Sequence, residues 1–256
     1  MADIALLANH LPGVDIAKFF AERRPDDRVA ALYVPGEQPE NDRKIIDALN
    51  LDQTRVFTGP DVIKNREHVD WFRDQRFDAI ICVYWPWLLR EEIFSAAPIT
   101  INFHPALLPI NRGWFPHVHS LIDGSKTGVT IHQIAAGADA GDVWAQREVP
   151  IQPTDTAKDI YDRLQVEIVQ LFKNKWDDIR NSEIRATAQD ETLATYHSKK
   201  ELQTLDFIDI DQPFKARDLI NRLRARTFGS RGFAYYEENG EQVFVKISLS
   251  KSNRFE

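Results

Sequence analysis

The 256-residue sequence contains one cysteine, Cys82, so the chain cannot form an internal disulfide. This cysteine lies in the apolar run FDAIICVYW, where we interpret it as a buried thiol and not as a nucleophile. No apolar run is long enough for a transmembrane helix, and the N-terminus has no basic stretch followed by an apolar core. These absences predict a cytoplasmic protein without a membrane partner.

Positive charge is scarce relative to negative charge. The sequence has 32 Lys and Arg residues against 39 Asp and Glu residues, which gives a formal net charge of −7 at pH 7. Nucleic-acid binding depends on an excess of basic side chains that neutralise phosphates. The composition therefore argues against a nucleic-acid partner, and any anionic ligand must meet a local basic cluster.

Glycine is missing where a dinucleotide site would need it. The first predicted strand continues into ANHLPG, which lacks the Gly-x-Gly-x-x-Gly pattern that lets the backbone approach a pyrophosphate. A nicotinamide-dependent dehydrogenase is therefore disfavoured.

Short apolar runs alternate with helical patterns through the first 105 residues. The runs at 4–8, 29–34, 77–83 and 99–103 predict buried parallel strands, and the segments 14–23, 41–49 and 62–73 predict helices between them. Two more strands, at 127–134 and 142–149, and a long helix at 156–176 are expected to follow. The order predicts an α/β fold with a doubly wound, mostly parallel sheet.

The segment 185–191 is polar and marks a boundary between a catalytic domain over 1–185 and a C-terminal region over 186–256. This region is predicted to hold a small helix at 215–226 and a β-hairpin at 233–249, with Asn239-Gly240 as its turn. A lone hairpin is marginally stable in water. Its apolar residues are Phe233, Tyr235, Phe244, Val245 and Ile247. We therefore expect the hairpin to pair with a second copy and form a homodimer.

Asn102 and His104 end an apolar strand, and Asp139 follows in an Ala-Asp-Ala-Gly loop. Residues two apart on a strand share a face, and the prolines at 105 and 109 end the strand, so this pair lies at a carboxyl edge where open α/β sheets bind ligands. An amide can donate to a developing oxyanion, an imidazole can carry a proton, and a carboxylate can orient the imidazole. The three residues predict acyl transfer to an amine, with Asp142 as a competitor for the place of Asp139.

The block from 101 to 146 resembles the 10-formyltetrahydrofolate-dependent formyltransferases. Their signature is Asn-x-His-Pro-Ser-Leu-Leu-Pro, then Arg-Gly, Gly-Val-Thr-x-His and Asp-x-Gly. Its elements stand here as Asn102, His104, Pro105, Leu107, Leu108, Pro109, Arg112, Gly113, Gly128, Val129, Thr130, His132, Asp139 and Gly141, with Ala106 in place of Ser. The resemblance implies a formyltransferase-type, Rossmann-like fold, catalytic roles for Asn102, His104 and Asp139, and 10-formyltetrahydrofolate as formyl donor without a metal.

The resemblance also implies a folate pocket. In the family, the loop after the fourth strand lines the pterin site, and the loop before the catalytic aspartate forms the opposite edge. The corresponding residues here are Trp85, Pro86, Trp87, Leu88, Leu89, Arg112, Gly113, Ile134, Ala135 and Ala138. The alternative for the two tryptophans is an aromatic cap on the core.

Three other histidines are not predicted to take part in catalysis or to bind a metal. Alternation places His132 on a strand, and the family position that it matches implies a structural role. His117 and His119 follow the Arg-Gly turn, but no carboxylate or thiolate cluster accompanies them, so we predict no metal site there.

The tail is shorter and more acidic than the basic barrel of the initiator-tRNA branch, and the missing glycine loop disfavours the branch that formylates a phosphorylated ribosyl-glycinamide. The resemblance therefore favours sugar N-formyltransferases, which act on dTDP-linked amino sugars for O-antigen lipopolysaccharide or other surface glycans. We expect dTDP-4-amino-4,6-dideoxyglucose as acceptor. Alternatives left open are another amine acceptor, such as tRNA or a small metabolite, and a non-catalytic folate-binding protein.

Basic and aromatic residues gather near the C-terminus of this acidic chain. Guanidinium and ammonium groups suit a pyrophosphate, and an aromatic ring can stack on a base. The residues expected to bind the nucleotide sugar are His10, Tyr196, His197, Lys199, Arg222, Arg226, Phe228 and Arg231. A solvated, charged helix face is the alternative for the arginines.

Overall fold

A seven-stranded sheet is the framework on which the site is built. The computed structural model describes residues 1–23 and 26–251. The first 104 residues contain β1 (Ala2–Ala8), α1 (His10–Glu22), β2 (Asp27–Val34), α2 (Pro39–Leu49), β3 (Val56–Thr58), α3 (Arg66–Asp74), β4 (Ala79–Val83), α4 (Glu91–Phe94) and β5 (Ile99–His104). The later elements are β6 (Arg112–Gly113), α5 (Pro116–Asp123), β7 (Gly128–His132), β8 (Val143–Glu148), α6 (Ala157–Arg180), β9 (Tyr196–His197), α7 (Glu201–Thr204), α8 (Ala216–Ala225), β10 (Thr227–Phe228), β11 (Arg231–Gly232), β12 (Ala234–Glu238) and β13 (Glu241–Val245).

The strands of the large sheet lie in the order β3-β2-β1-β4-β5-β7-β8. The pairs from β3 to β5 are parallel, whereas β7 runs antiparallel to β5. Because strands are added on both sides of β1, the order reverses between β1 and β4, and open sheets bind ligands at the carboxyl ends near such a point. The predicted α/β fold with a doubly wound, mostly parallel sheet is confirmed. The edge strand β3 and the helix α5 were not indicated by the sequence pattern.

The chain divides into two compact units. The first consists of Met1–His104, Thr130–Gln146 and Ile168–Gln189, and the second of Pro105–Val129, Arg147–Glu167 and Asp190–Glu256. The sequence instead predicts one boundary, between 1–185 and 186–256. In the structure the chain alternates between the units, and only its last crossing, after Gln189, lies near that boundary.

Helix α1 begins at His10, earlier than the predicted start at residue 14. The side chain of Asn9 caps it by accepting a hydrogen bond from the His10 amide at 2.8 Å. Pro12 and Gly13 lie inside the first turn, which tolerates proline because amide hydrogens there have no intrahelical partner.

The helix predicted over 62–73 is divided into two parts. A 3-10 turn covers Val62–Lys64, and α3 begins at Arg66 after the side chain of Asn65 caps the amide of His68 at 3.2 Å. Helix α6 extends beyond the predicted end at 176 to Arg180. None of the helices in the described part of the chain is both long and apolar enough to span a membrane.

The C-terminal helix and hairpin are present close to their predicted ranges. Strands β12 and β13 pair antiparallel, and the turn between them places Asn239 at φ 51° and Gly240 at φ 81°. These left-handed conformations are the ones that a tight hairpin turn requires.

A buried carboxylate ties the start of β2 to α1 and α6. Asp27 is fully buried and accepts hydrogen bonds from Arg23 Nε at 2.7 Å, Trp176 Nε1 at 2.9 Å and Arg180 Nη1 at 2.7 Å. Burial alone would raise the pKa of Asp27, but the hydrogen bonds from these three side chains outweigh burial and lower it. The carboxylate is therefore charged in the folded protein.

We expect Asp27→Asn to lower the free energy of unfolding by about 3 kcal/mol, because removing one partner of a buried ion pair leaves the other charges uncompensated. Urea unfolding measures the change. Asp26→Asn, on the neighbouring exposed side chain, is the control and should change stability by no more than about 0.5 kcal/mol. Equal effects in the two variants would contradict the role given to Asp27.

Candidate active site

Asn102 and His104 lie on one face at the end of β5. The residue between them, Phe103, points to the opposite face and packs its ring 5.1 Å from that of Phe172 in the core. Because side chains alternate along a strand, burial of this ring directs both polar side chains to the other face. His104 is buried and Asn102 is half-buried.

The carboxylate of Asp139 joins these two residues. Its Oδ1 accepts a hydrogen bond from Asn102 Nδ2 at 3.2 Å, and its Oδ2 lies 3.4 Å from His104 Nδ1. The structure therefore brings together the amide, the imidazole and the carboxylate that the sequence analysis singles out. The competitor, Asp142, instead contributes its backbone carbonyl, which accepts from the amide of Gln133 at 2.8 Å.

His132 is the fourth member of this cluster. Its Nδ1 lies 2.7 Å from the carbonyl oxygen of Gln133, which can only accept, so Nδ1 carries a hydrogen. In the neutral ring Nε2 is then an acceptor, and Asn102 Nδ2 lies 3.0 Å from it. Both amide hydrogens of Asn102 are thus directed, one to His132 and one to Asp139. The sequence analysis predicts only a structural role for His132, and this geometry lets its ring orient the Asn102 amide.

The position of Asp139 depends on its backbone. It adopts φ 53°, a left-handed conformation that is uncommon for residues other than glycine. Gln189 holds this loop, since its Nε2 donates to the carbonyl oxygens of Asp139 at 2.8 Å and Gly141 at 2.7 Å. A Cβ on Gly141 would lie 2.0 Å from the carbonyl oxygen of Gln133, so only glycine fits there. No sequence pattern indicates Gln189, which lies far from Asp139 along the chain.

Four of the residues predicted to bind folate share one hydrophobic cluster. Trp85 belongs to the core of the first unit, and Trp87, Leu89 and Ile134 pack against that core. The rings of the two tryptophans lie 5.0 Å apart, edge to face. Leu88 is 78% exposed and stays outside the cluster.

The indole nitrogen of Trp85 has no hydrogen-bond partner among the described residues, although it is buried. Such a donor is costly unless a ligand or water completes it. The amide of Ile134, by contrast, already donates to Thr100 Oγ1 at 3.0 Å. Pro86, Ala135 and Ala138 are half-buried beside these residues in the chain.

Arg112 and Gly113, also predicted to bind folate, belong to the second unit and have local partners. Arg112 forms two parallel hydrogen bonds to Glu191, of 2.9 and 2.7 Å. Gly113 has φ 88°, and a Cβ there would lie 2.4 Å from the carbonyl oxygen of His197. The Gly113 contact joins β6 to β9, and the Arg112 contact joins β6 to a 3-10 turn at Glu191–Leu193, so both residues have structural partners in this unit.

His10 is the only residue of the predicted nucleotide-sugar set in the first unit. It is half-buried at the start of α1, with φ 57°, and its ring lies edge to face 6.0 Å from that of Tyr84, which has φ 54°. Burial lowers the pKa of His10. The two left-handed residues follow β1 and β4, the strands between which the sheet order reverses.

Several of the remaining predicted nucleotide contacts have partners within the second unit. Arg222 donates to the carbonyl oxygens of Leu205 and Thr204, both at 3.0 Å. Arg226 is buried and donates to Asp206 Oδ1 at 2.5 Å. These two guanidinium groups therefore stabilise the C-terminal segment. The sequence analysis predicts them as pyrophosphate contacts and does not anticipate these partners.

Aromatic contacts occupy three more residues of this set. Phe228 packs 5.7 Å from Tyr161, Arg231 lies 5.1 Å over the ring of Phe233, and Lys199 lies 5.2 Å over the ring of Trp114. Tyr196 is 57% exposed. Of the set, Tyr196, Lys199 and Arg231 keep exposed polar groups.

His197 belongs to a histidine cluster that sequence reasoning missed. Its ring stacks on that of His119 at 3.5 Å, its Nδ1 lies 2.9 Å from Glu201 Oε2, and its Nε2 lies 3.0 Å from Asn111 Oδ1. A carboxylate therefore does accompany His119, contrary to the sequence analysis. Parallel rings at this spacing direct their nitrogens along parallel planes, so the histidines do not converge on one ion as tetrahedral zinc requires.

Two buried histidines of α5 make stability depend on pH. Burial lowers the pKa of His117 to about 3 and that of His119 to about 4, from an ordinary value of 6.5. Between pH 6.5 and about 4 the unfolded chain binds these protons and the folded chain does not. We therefore expect stability to be complete above pH 6.5 and to fall on acidification, by up to about 1.4 kcal/mol per pH unit for each histidine.

Urea unfolding between pH 7.5 and 5 measures this slope. His119→Gln removes one titrating group, so the difference between wild type and variant isolates its contribution from those of His10 and His68, whose pKa values burial also lowers. Identical slopes for the two proteins would contradict the assignment.

Comparison with known proteins identifies the family. Residues 37–174 match the Formyl transferase family, and residues 201–251 match the N-formyltransferase dimerization C-terminal domain. A dTDP-4-amino-4,6-dideoxyglucose formyltransferase of Mycobacterium bovis is 37% identical over 180 residues, which are 68% of this chain and 74% of that protein.

Solved structures of formyltransferases have the same fold as this chain. A 4-N formyltransferase from Francisella tularensis superposes with a TM-score of 0.85 at 26% identity, over 98% of this chain and 99% of that chain. A formyltransferase from Anoxybacillus kamchatkensis, solved with UDP-4,6-dideoxy-4-formamido-L-AltNAc and tetrahydrofolate, shares the fold at 24% identity and a TM-score of 0.59, over 87% of this chain and 98% of that chain. The chain therefore belongs to the formyltransferase family and is an enzyme of its sugar N-formyltransferase branch.

Proposed function

We propose that the enzyme transfers a formyl group from 10-formyltetrahydrofolate to the amine of dTDP-4-amino-4,6-dideoxyglucose, for the synthesis of O-antigen or another surface glycan. The convergence of Asn102 and His104 on Asp139 at the carboxyl end of β5 carries the chemical part of this proposal. The acceptor is supported by the mycobacterial relative that bears this name. The net charge of −7 makes a tRNA acceptor the weaker candidate.

Three side chains perform the transfer in this proposal. Asn102 turns one amide hydrogen from His132 or Asp139 to the formyl oxygen, which gains negative charge as the amine attacks. His104 takes the proton of the amine, and the negative charge of Asp139 stabilises the resulting imidazolium. When bound, 10-formyltetrahydrofolate would supply the formyl carbon, and its N10 would receive the proton from His104 as the bond to the formyl carbon breaks and tetrahydrofolate leaves.

The residues after β4 fit such a donor. A pterin is flat and carries hydrogen-bonding groups along its edge, and the cluster of Trp85, Trp87, Leu89 and Ile134 offers apolar and aromatic surface. The partnerless indole nitrogen of Trp85 is a buried donor that a ligand atom could complete. We assign the pterin to this cluster.

For the nucleotide we retain the exposed members of the predicted set. Lys199, held over Trp114, supplies an ammonium group, and Tyr196 supplies a ring that could stack on thymine. Lys199→Gln should therefore raise the KM for the sugar nucleotide more than that for the folate.

We expect His104→Ala to lower turnover by about 100-fold to 10,000-fold, the range for loss of a general acid or base, while the Kd for tetrahydrofolate stays nearly unchanged. Asn102→Ala should lower turnover by about 100-fold or more, because it removes a donor to the developing oxyanion. Tetrahydrofolate release measures turnover, and His68→Gln, remote in sequence on α3, is the control. Full activity in either site variant would rule out these roles.

The acceptor is tested by offering the enzyme three amines with the same formyl donor: dTDP-4-amino-4,6-dideoxyglucose, its 3-amino isomer and methionyl-tRNA. Mass spectrometry detects the formamide product. We expect the highest kcat/KM for the 4-amino sugar. Preference for the isomer or for tRNA would overturn the acceptor assignment but leave the catalytic roles standing.

We also propose a homodimer formed through β12 and β13. Phe244 on β13 is 60% exposed, and an apolar side chain of this size is costly to leave in water. In addition, residues 201–251 match a dimerization domain. Tyr235, opposite Phe244 in the pairing, has its ring 5.6 Å from that of Phe244 and 5.8 Å from that of Phe207. The exposed surface of the hairpin is thus centred on β13.

We expect Phe244→Glu to convert the dimer to a monomer, because a charge in an apolar interface is costly to bury. Multi-angle light scattering measures the mass. Gln53→Glu adds the same charge to an exposed side chain outside residues 201–251 and should leave the dimer intact. A monomeric wild type, or dissociation of both variants alike, would contradict this interface.

A further inference from the structure

A cleft in the second unit is lined by none of the residues assigned to catalysis. It has a volume of about 360 Å³ and is bordered by the loop after α5, the chain around the end of β8, and α8. The polar residues that line it are Ser120, Ser125, Lys126, Thr127, Glu148, Arg217, Asn221 and Arg224. Nothing in the proposed transfer reaction uses them.

The charges in this cleft do not balance. Lys126 Nζ pairs with Glu148 Oε2 at 2.8 Å, which leaves the guanidinium groups of Arg217 and Arg224 as a positive excess. Arg217, Asn221 and Arg224 are spaced so that they follow one face of α8. In a chain of net charge −7, this local excess favours an anionic ligand.

Arg224 is the strongest indication, because its side chain is buried and bound only by neutral groups. Its Nε donates to the carbonyl oxygen of Asp155 at 2.7 Å, and its Nη2 donates to that of Gln152 at 2.7 Å. The Asp155 carboxylate instead pairs with Arg163 at 2.8 Å. Among the residues that the structure describes, no carboxylate forms an ion pair with Arg224. The charge of Asp155 favours the protonated guanidinium, but that carboxylate is held by Arg163, and a buried charge whose counter-charge is shared in this way is costly.

Two further donors border the same space. The hydroxyl of Thr127 is buried and has no hydrogen-bond partner in the described part of the chain. Helix α8 begins after Lys215 without a side-chain cap, so the amide hydrogens of Ala216 and Arg217 are open to a ligand, whereas that of Asp218 donates to the carbonyl oxygen of Lys215 at 3.0 Å. Helix N-termini carry partial positive charge and bind phosphates through such amides.

From these features we propose that the cleft binds the phosphoryl group of an organic phosphate, with Arg217, Arg224 and Thr127 as donors. Guanidinium groups bind phosphate oxygens in pairs, and a hydroxyl completes a third oxygen. This second site is independent of the proposed formyl transfer.

Isothermal titration of the intact protein tests the site, with inorganic pyrophosphate, dTDP and thymidine as probes at low ionic strength. Arg217→Gln removes an exposed charge, and Thr127→Val removes a buried hydroxyl that has no partner, so neither change should unfold the protein. Arg43→Gln, on the exposed face of α2, is the matched control for net charge.

We expect wild type and Arg43→Gln to bind two equivalents of dTDP, one at the proposed acceptor site and one at the cleft, and no thymidine. Arg217→Gln and Thr127→Val should each weaken binding of the cleft equivalent by about 10-fold or more, while kcat and KM for the sugar nucleotide stay unchanged. A single equivalent bound to wild type, or equal weakening by Arg43→Gln, would overturn the proposal. A parallel rise in the KM for the sugar nucleotide would also overturn it, since the cleft would then be part of the acceptor site.

Discussion

The site depends on the register in which β5 pairs with β7. In that register Asn102 lies opposite His132 and His104 opposite Thr130, so the two polar side chains of β5 reach Asp139 from one face. A slip of one residue would exchange them for Phe103, whose ring packs on Phe172 in the core. Burial of one aromatic side chain thus fixes the orientation of the amide and imidazole.

The carboxylate of Asp139, at the centre of the site, is positioned by residues outside β5. The left-handed backbone of Asp139, the close approach of Gly141 to Gln133, and the hydrogen bonds from Gln189 all set the loop between β7 and β8. The left-handed backbone of Asp139 costs conformational energy, and the hydrogen bonds that Gln189 donates to the loop offset this cost. Preorganisation of this kind lets a site stabilise developing charge without rearranging when the reaction occurs.

The sequence predicted the parts of the protein that follow from local patterns. Continuous apolar runs indicated β1, β2, β4 and β5, and the spacing of Asn102, His104 and Asp139 indicated the site. Contacts between distant segments could not be read in this way. His119 and His197 stack across a long stretch of chain, and no pattern in either segment signals the other.

The roles of the arginines likewise could not be predicted from sequence patterns alone. Their clustering in an acidic chain suggested a pyrophosphate site, but whether a guanidinium is available depends on its tertiary partners. Arg226 is bound to Asp206, whereas Arg224, buried against carbonyl oxygens, lacks a carboxylate among the described residues. Composition located the basic region, and only the folded chain distinguished the arginines that stabilise it from those that can meet an anion.

The central claim is that Asp139, and not the nearby Asp142, serves the imidazole of His104. The most direct test compares single-turnover formyl transfer to dTDP-4-amino-4,6-dideoxyglucose by Asp139→Asn and Asp142→Asn. We predict that Asp139→Asn slows transfer by about 100-fold or more with tetrahydrofolate affinity unchanged, whereas Asp142→Asn transfers at the wild-type rate. Equal rates in the two variants, or a slow step confined to Asp142→Asn, would contradict the account.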